Sequence, residues 1–213
     1  MRIILRSMAT VHPIRSQPED EAPFDLHARA MDNLRFIRET MERAGSFTAV
    51  SGWGMVGMGV TAFAAAWVSS RQASPEGWLT VWWAEALFAM AIGGWTTARK
   101  ARAAKMPLLS GPGRKFALSL APPLAAGGLL TAFLYDTGLV AALPGMWLLL
   151  FGTGVVTAGA FSARVVPVMG MCFMALGTAA LFTPAGWGSA MMALGFGGLN
   201  VLFGAIIAWR YGG

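Results

Sequence analysis

The chain is almost without the side chains that most enzymes and metal proteins depend on. Among its 213 residues there are one cysteine and two histidines. Cys172 can form no internal disulfide, and its place inside an apolar stretch reads as a small packing residue rather than a reactive thiol. His12 and His27 both precede the first long apolar run, so no histidine is available within the runs to ligate haem or act as an intramembrane base. HExxH, a Walker-type phosphate loop, paired aspartates within a run, and Ser/His or Cys/His sets are all missing. The expectation is a protein that is not an enzyme, with no catalytic residues, no cofactor and no metal site.

Charge is scarce as well. Only 12% of residues are charged, against roughly 25% in a soluble domain, while 56% are hydrophobic. The apolar residues collect into runs of about 20, the length needed to cross a hydrocarbon core roughly 30 Å thick. Six such runs are read at residues 47 to 69, 78 to 97, 116 to 135, 140 to 161, 165 to 183 and 187 to 209. Too little polar sequence remains to cover six buried helices in water. The fold class expected is therefore all-α: a polytopic membrane protein with six transmembrane helices.

The formal charge of +6 would suit a nucleic-acid partner, but its distribution argues against one. With the N-terminus in the cytoplasm, every lysine and arginine except Arg71 falls on the cytoplasmic side. That asymmetry is the positive-inside rule and predicts that both termini are cytoplasmic. The partners it implies are the bilayer itself and anionic lipids at the cytoplasmic face.

Three regions are expected. Residues 1–23 carry Pro13, Pro18, Pro23 and the acidic run Glu19 to Glu21, and read as a flexible tail. Residues 24–45 place Met31, Leu34, Ile37, Met41 and Ala44 at three- and four-residue spacing, which predicts an amphipathic cytoplasmic or interfacial helix broken at Gly45 and Ser46. Its apolar stripe would lie in the lipid interface, or meet a protein partner or a second copy. Residues 46–213 form the transmembrane domain. Within it, the segment from Arg99 to Lys115 is a strongly basic cytoplasmic loop and a second candidate docking element.

Tryptophans such as Trp78, Trp82 and Trp147 fall near the ends of the runs, where indole anchors at the head groups are expected. Glycine recurs inside the runs, where small residues let helices approach. Gly57-Met58-Gly59 in the first run and Gly152-Thr153-Gly154 in the fourth, with Gly127-Gly128-Leu129 in the third and Gly197-Gly198-Leu199 in the sixth, suggest a weak repeat of three helices followed by three inverted ones.

Glu85 is the one acidic residue well inside a run, where an ionisable group costs at least about 2.5 kcal/mol on insertion scales. It must face the bundle, hold a proton or find a partner, and is either a substrate or proton-coupling carboxylate or a structural hydrogen-bonding group. Asn200 is the second polar candidate, as an interhelical hydrogen-bonding residue. Pro122 and Pro123 together should kink the third helix, with a cavity or a packing adjustment as the result. Glu85, Asn200, Pro122 and Pro123 are the candidate intramembrane polar site.

The stretches Arg38-Glu39-Thr40-Met41-Glu42 leading to Gly52-Trp53-Gly54, Pro107-Leu108-Leu109-Ser110-Gly111-Pro112, and Arg164-Val165-Val166-Pro167-Val168-Met169-Gly170 resemble a group of six-helix bacterial inner-membrane proteins with no established activity. The resemblance implies one compact six-helix unit in the bacterial inner membrane and carries over no site or substrate. Two functions stand as expectations. The first is an accessory or sensor subunit acting through the cytoplasmic helix and basic loop. The alternative is a small-molecule transporter with its site near the bilayer midplane.

Overall fold

The computed structural model describes residues 23–44, 51–103 and 111–211. The N-terminal tail, the break at Gly45 and Ser46, and the middle of the basic loop lie outside the described residues. Among the described residues every regular element is helical and there is no strand. Gly113–Asp136, Val140–Gly159 and Ala185–Arg210 are long and apolar enough to cross a membrane, and Val165–Leu181 is a shorter apolar helix. These helices make the chain a membrane protein by length and composition.

The chain divides into two units, Met1–Met41 and Glu42–Gly213. The helix α1 spans Pro23–Ala44, all but its last three residues in the first unit, and Met31, Leu34, Ile37 and Met41 are all exposed on it. The three- and four-residue spacing thus yields the expected amphipathic helix, with its apolar side chains uncovered.

In the second unit the helices are α2 (Gly52–Ser69), α3 (Pro75–Ala103), α4 (Gly111–Asp136), α5 (Leu143–Gly159), α6 (Val165–Leu181), α7 (Gly188–Met192) and α8 (Asn200–Tyr211). A π-helical segment, Ala193–Leu199, joins α7 to α8 without a break. Local chemistry sets the ends. Ser51 has extended backbone angles and its Oγ accepts from the Gly54 N–H at 3.1 Å, satisfying one of the orphan donors that start α2. Pro75 opens α3, where a missing N–H costs nothing, and Ser74 Oγ accepts from the Gly77 N–H. At the far end of α4, Gly138 adopts φ 74°, and the Gly138 and Leu139 N–H groups turn back to the carbonyls of Tyr135 and Leu134. This two-bond C-terminal cap needs the left-handed conformation that glycine takes without strain.

The paired prolines lie inside α4, which runs through them. Pro123 has no N–H for the carbonyl of Ser119, four residues earlier. Thr157 of α5 brings its Oγ1 to 3.3 Å from that oxygen, while the carbonyls of Thr153 and Gly154 on its own helix lie at 3.0 Å from the same hydroxyl. Its single proton serves one acceptor at a time, so a neighbouring helix offers a shared donor in place of the one that proline removes.

The packing follows the weak repeat. α3 packs on α2 as α6 packs on α5, and α2 packs on α8 as α5 packs on α4. The glycine pairs obey the same correspondence. Gly57 faces Ile92 of α3 while Gly152 faces the Gly170 carbonyl of α6; Gly59 faces the Gly197 carbonyl while Gly154 faces Leu120 of α4. A Cβ on Gly59 would come 2.7 Å from the Gly197 oxygen, closer than real side chains approach. Glycine here sets the helix separation.

An aromatic cluster sits where the two halves meet. Phe173 is fully buried, with ring centroids 4.9 Å from Phe151 and 5.5 Å from Phe196, and Phe196 in turn lies 6.4 Å from Trp82. On the outside of the unit Val60, Phe63, Leu129, Phe133 and Phe182 are exposed. So broad an apolar surface is lipid-facing in character rather than water-facing.

Candidate functional site

Between α3 and α4 lies a cavity of about 790 Å³. Its wall on α3 is the stripe Trp82, Glu85, Ala86, Ala89 and Gly93, a spacing that keeps one helical face toward the space. The opposite wall comes from Leu120, Pro123, Leu124 and Thr131 of α4, and the floor from Phe151 and Phe196. α3 packs on α2 and α4 packs on α5, but α3 and α4 share no comparable interface. The two helices that flank the cavity therefore share little direct contact.

Three of the four candidate residues from the sequence line this one cavity: Glu85, Asn200 and Pro123. Pro122 does not line it. Asn200 is buried at 6% exposure, and its Nδ2 donates to the Phe196 carbonyl one turn back, at 2.9 Å. It therefore braces the end of the π-helical segment instead of making the interhelical hydrogen bond expected of it. Such π segments widen a helix locally and recur at functional sites; here the segment carries Phe196 and leads into Asn200.

Glu85 is half-buried, and its Oε1 lies 2.8 Å from Thr61 Oγ1 of α2. The same hydroxyl is 2.9 Å from the Met58 carbonyl. One hydroxyl carries one proton, so two arrangements are open. With an ionised carboxylate, Thr61 donates to Glu85. With a protonated carboxyl, Glu85 donates to Thr61, which then donates to Met58. The pair is hydrogen-bonded in either protonation state, and Glu85 makes no ion pair among the described residues.

Trp82 departs from the anchor role expected of it. It is only 3% exposed, in the core rather than at a rim, and its indole nitrogen has no hydrogen-bond partner. An orphaned buried donor costs about 1–3 kcal/mol. Trp147, also on the cavity wall, differs in this respect, because its indole donates to Thr131 Oγ1 at 2.7 Å. Trp78 stacks on Trp147 with centroids 5.5 Å apart and donates to Ser189 at 2.9 Å, tying α3, α5 and α7 together.

Sequence reasoning about single residues missed Trp82, Trp147 and Thr131 as members of the site. A signal existed for the first: Trp82 lies three residues before Glu85 on the same stripe as Ala86, Ala89 and Gly93. Such a stripe of one acid, one indole and several small residues leaves room beside the helix. Among the described residues no group of three or more His, Cys, Asp or Glu side chains could hold a metal ion. No protein-family model, curated protein or solved structure matches the chain.

Proposed function

We propose that the protein is a small-molecule transporter of the bacterial inner membrane, with its site in the cavity between α3 and α4. One observation carries this reading: Glu85, Asn200 and Pro123, singled out separately in the sequence, line one space of about 790 Å³ whose walls are otherwise mostly apolar. That is the size and character of a site for a drug-sized hydrophobic molecule with few polar groups. The open seam between α3 and α4 lets such a molecule enter from the lipid.

In this reading the chain crosses the bilayer six times, as α2, α3, α4, α5, α6 and the continuous α7–α8 rod, with both termini in the cytoplasm. Glycine, tryptophan and threonine dilute the apolar character of α2 and α3, yet α2 carries no charged residue. The positive-inside asymmetry supports the orientation, and the paired packing of the halves supports an inverted repeat of the kind used by secondary transporters.

The test is binding and transfer of a neutral environment-sensitive naphthyl dye by purified protein in micelles and then in proteoliposomes. The dye should quench tryptophan fluorescence saturably and cross vesicles faster with protein present. Ala89→Trp, which fills the cavity from α3, should abolish both. Binding that persists undiminished in Ala89→Trp would remove the cavity from the mechanism.

The accessory or sensor role is supported by a different observation, the uncovered apolar side chains Met31, Leu34, Ile37 and Met41 of α1. Deleting residues 24 to 44 should then abolish co-purification with a partner protein from native membranes. An unchanged set of co-purifying proteins counts against that role.

A further inference from the structure

We propose that the ligand of this cavity is a lipophilic organic cation, bound with its charge beside Glu85 and its apolar body against the aromatic walls. The inference rests on the transporter reading above and specifies the class of molecule that the site takes.

The sign follows from the lining. Among the described residues Glu85 is the sole ionisable side chain around the cavity, and no lysine, arginine or histidine contributes to its wall. An anion would meet a carboxylate with nothing to neutralise either charge. A cation brings the missing counter-charge to a carboxylate that is otherwise held by one hydroxyl. In a low-dielectric setting an uncompensated charge is far more costly than a paired one.

The walls favour the same class. Trp82, Trp147, Phe151 and Phe196 all line the cavity, and aromatic rings attract a diffuse positive charge where water is excluded. A strongly hydrated inorganic cation is excluded by the apolar lining, which offers no cage of oxygen ligands. An organic cation with apolar substituents loses little hydration on entry and packs against the rings.

The experiment uses two ions of nearly the same shape and opposite sign, tetraphenylphosphonium and tetraphenylborate, on the full chain in neutral maltoside micelles with empty micelles as the partition control. Tetraphenylphosphonium should quench tryptophan fluorescence saturably and tetraphenylborate should not. Glu85→Gln should weaken the phosphonium by about tenfold or more, the scale of a charge-assisted contact, and Glu85→Asp should retain part of the affinity. Equal saturable binding of both ions, or an unchanged affinity in Glu85→Gln with native-like unfolding, overturns the proposal. If neither ion binds while the neutral dye still does, the ligand class is wrong and the cavity reading survives. If the dye also fails to bind, both readings fall together.

Discussion

The hydroxyl of Tyr135 donates to Glu76 Oε1 at 2.8 Å, joining the last turn of α4 to the first turn of α3. These are the two helices that flank the cavity and otherwise share little surface, so one hydrogen bond latches an open seam at one end. The Gly138 cap that ends α4 sets the turn from which Tyr135 reaches across.

That latch should be pH-dependent. The Glu76 carboxyl is held below its ordinary range, first by a backbone N–H at the start of its helix and then by the hydroxyls of Tyr135 and Ser74. A carboxylate with a lowered folded pKa contributes stability that is fully present above the unfolded value, near 4.5, and is lost as pH falls through the lower folded value. Spin labels at Thr80 and Thr137 should therefore report a fixed distance at neutral pH and a broader distribution in strong acid. Tyr135→Phe should show the broad distribution at both, and a narrow one would mean that the bond does not hold the seam.

The glycine contacts separate close packing from mere composition. A methyl group at position 59 meets the Gly197 backbone oxygen, whereas one at position 94 meets nothing within 4 Å. Gly59→Ala is expected to lose about 1–3 kcal/mol of stability as an overpacked contact. Gly94→Ala, in mid-helix, is expected to gain about 0.5–1 kcal/mol from reduced backbone freedom in the unfolded chain. Thermal unfolding in micelles decides the order, and equal midpoints would show that α2 and α8 do not approach as closely as described.

Thr157 and Pro123 should be coupled. If Thr157 serves the carbonyl that Pro123 orphans, Thr157→Val costs about 1 kcal/mol in the native background. In a Pro123→Ala background the regained backbone N–H takes over and the same change should cost little. A double-mutant cycle that finds the two effects additive would sever the link.

Orientation is checkable by single-cysteine labelling in a Cys172→Ser background. Cysteines replacing Arg102 and Arg164 should react only after the membrane is opened from the cytoplasmic side, and one replacing Arg71 should react in intact cells. The reverse pattern would invert the topology drawn from the charges.

Much of the helical architecture was legible along the chain because its causes are local. Runs such as residues 140 to 161 and 165 to 183 correspond to Val140–Gly159 and Val165–Leu181, since length, hydropathy and the flanking Pro167, Gly138 and Pro184 act within a few residues. The site was only half legible. Glu85 and Asn200 stood out as polar residues in apolar runs, but Trp82 read as a head-group anchor and is instead a core residue on the cavity wall. Position within a run says how near an end a residue lies; it does not say which way the helix face turns.

Composition and order alone therefore determined that the chain is helical and apolar, about where its helices lie, and which few polar groups they carry, because hydropathy and helix-breaking operate over one or two turns. Tertiary structure decided that Glu85, Asn200 and Pro123 share a cavity, that Thr157 comes within reach of the carbonyl Pro123 leaves open, and that Tyr135 meets Glu76. Those juxtapositions span up to 115 residues between Glu85 and Asn200. They depend on how glycine-spaced helices settle against one another, which no single segment encodes.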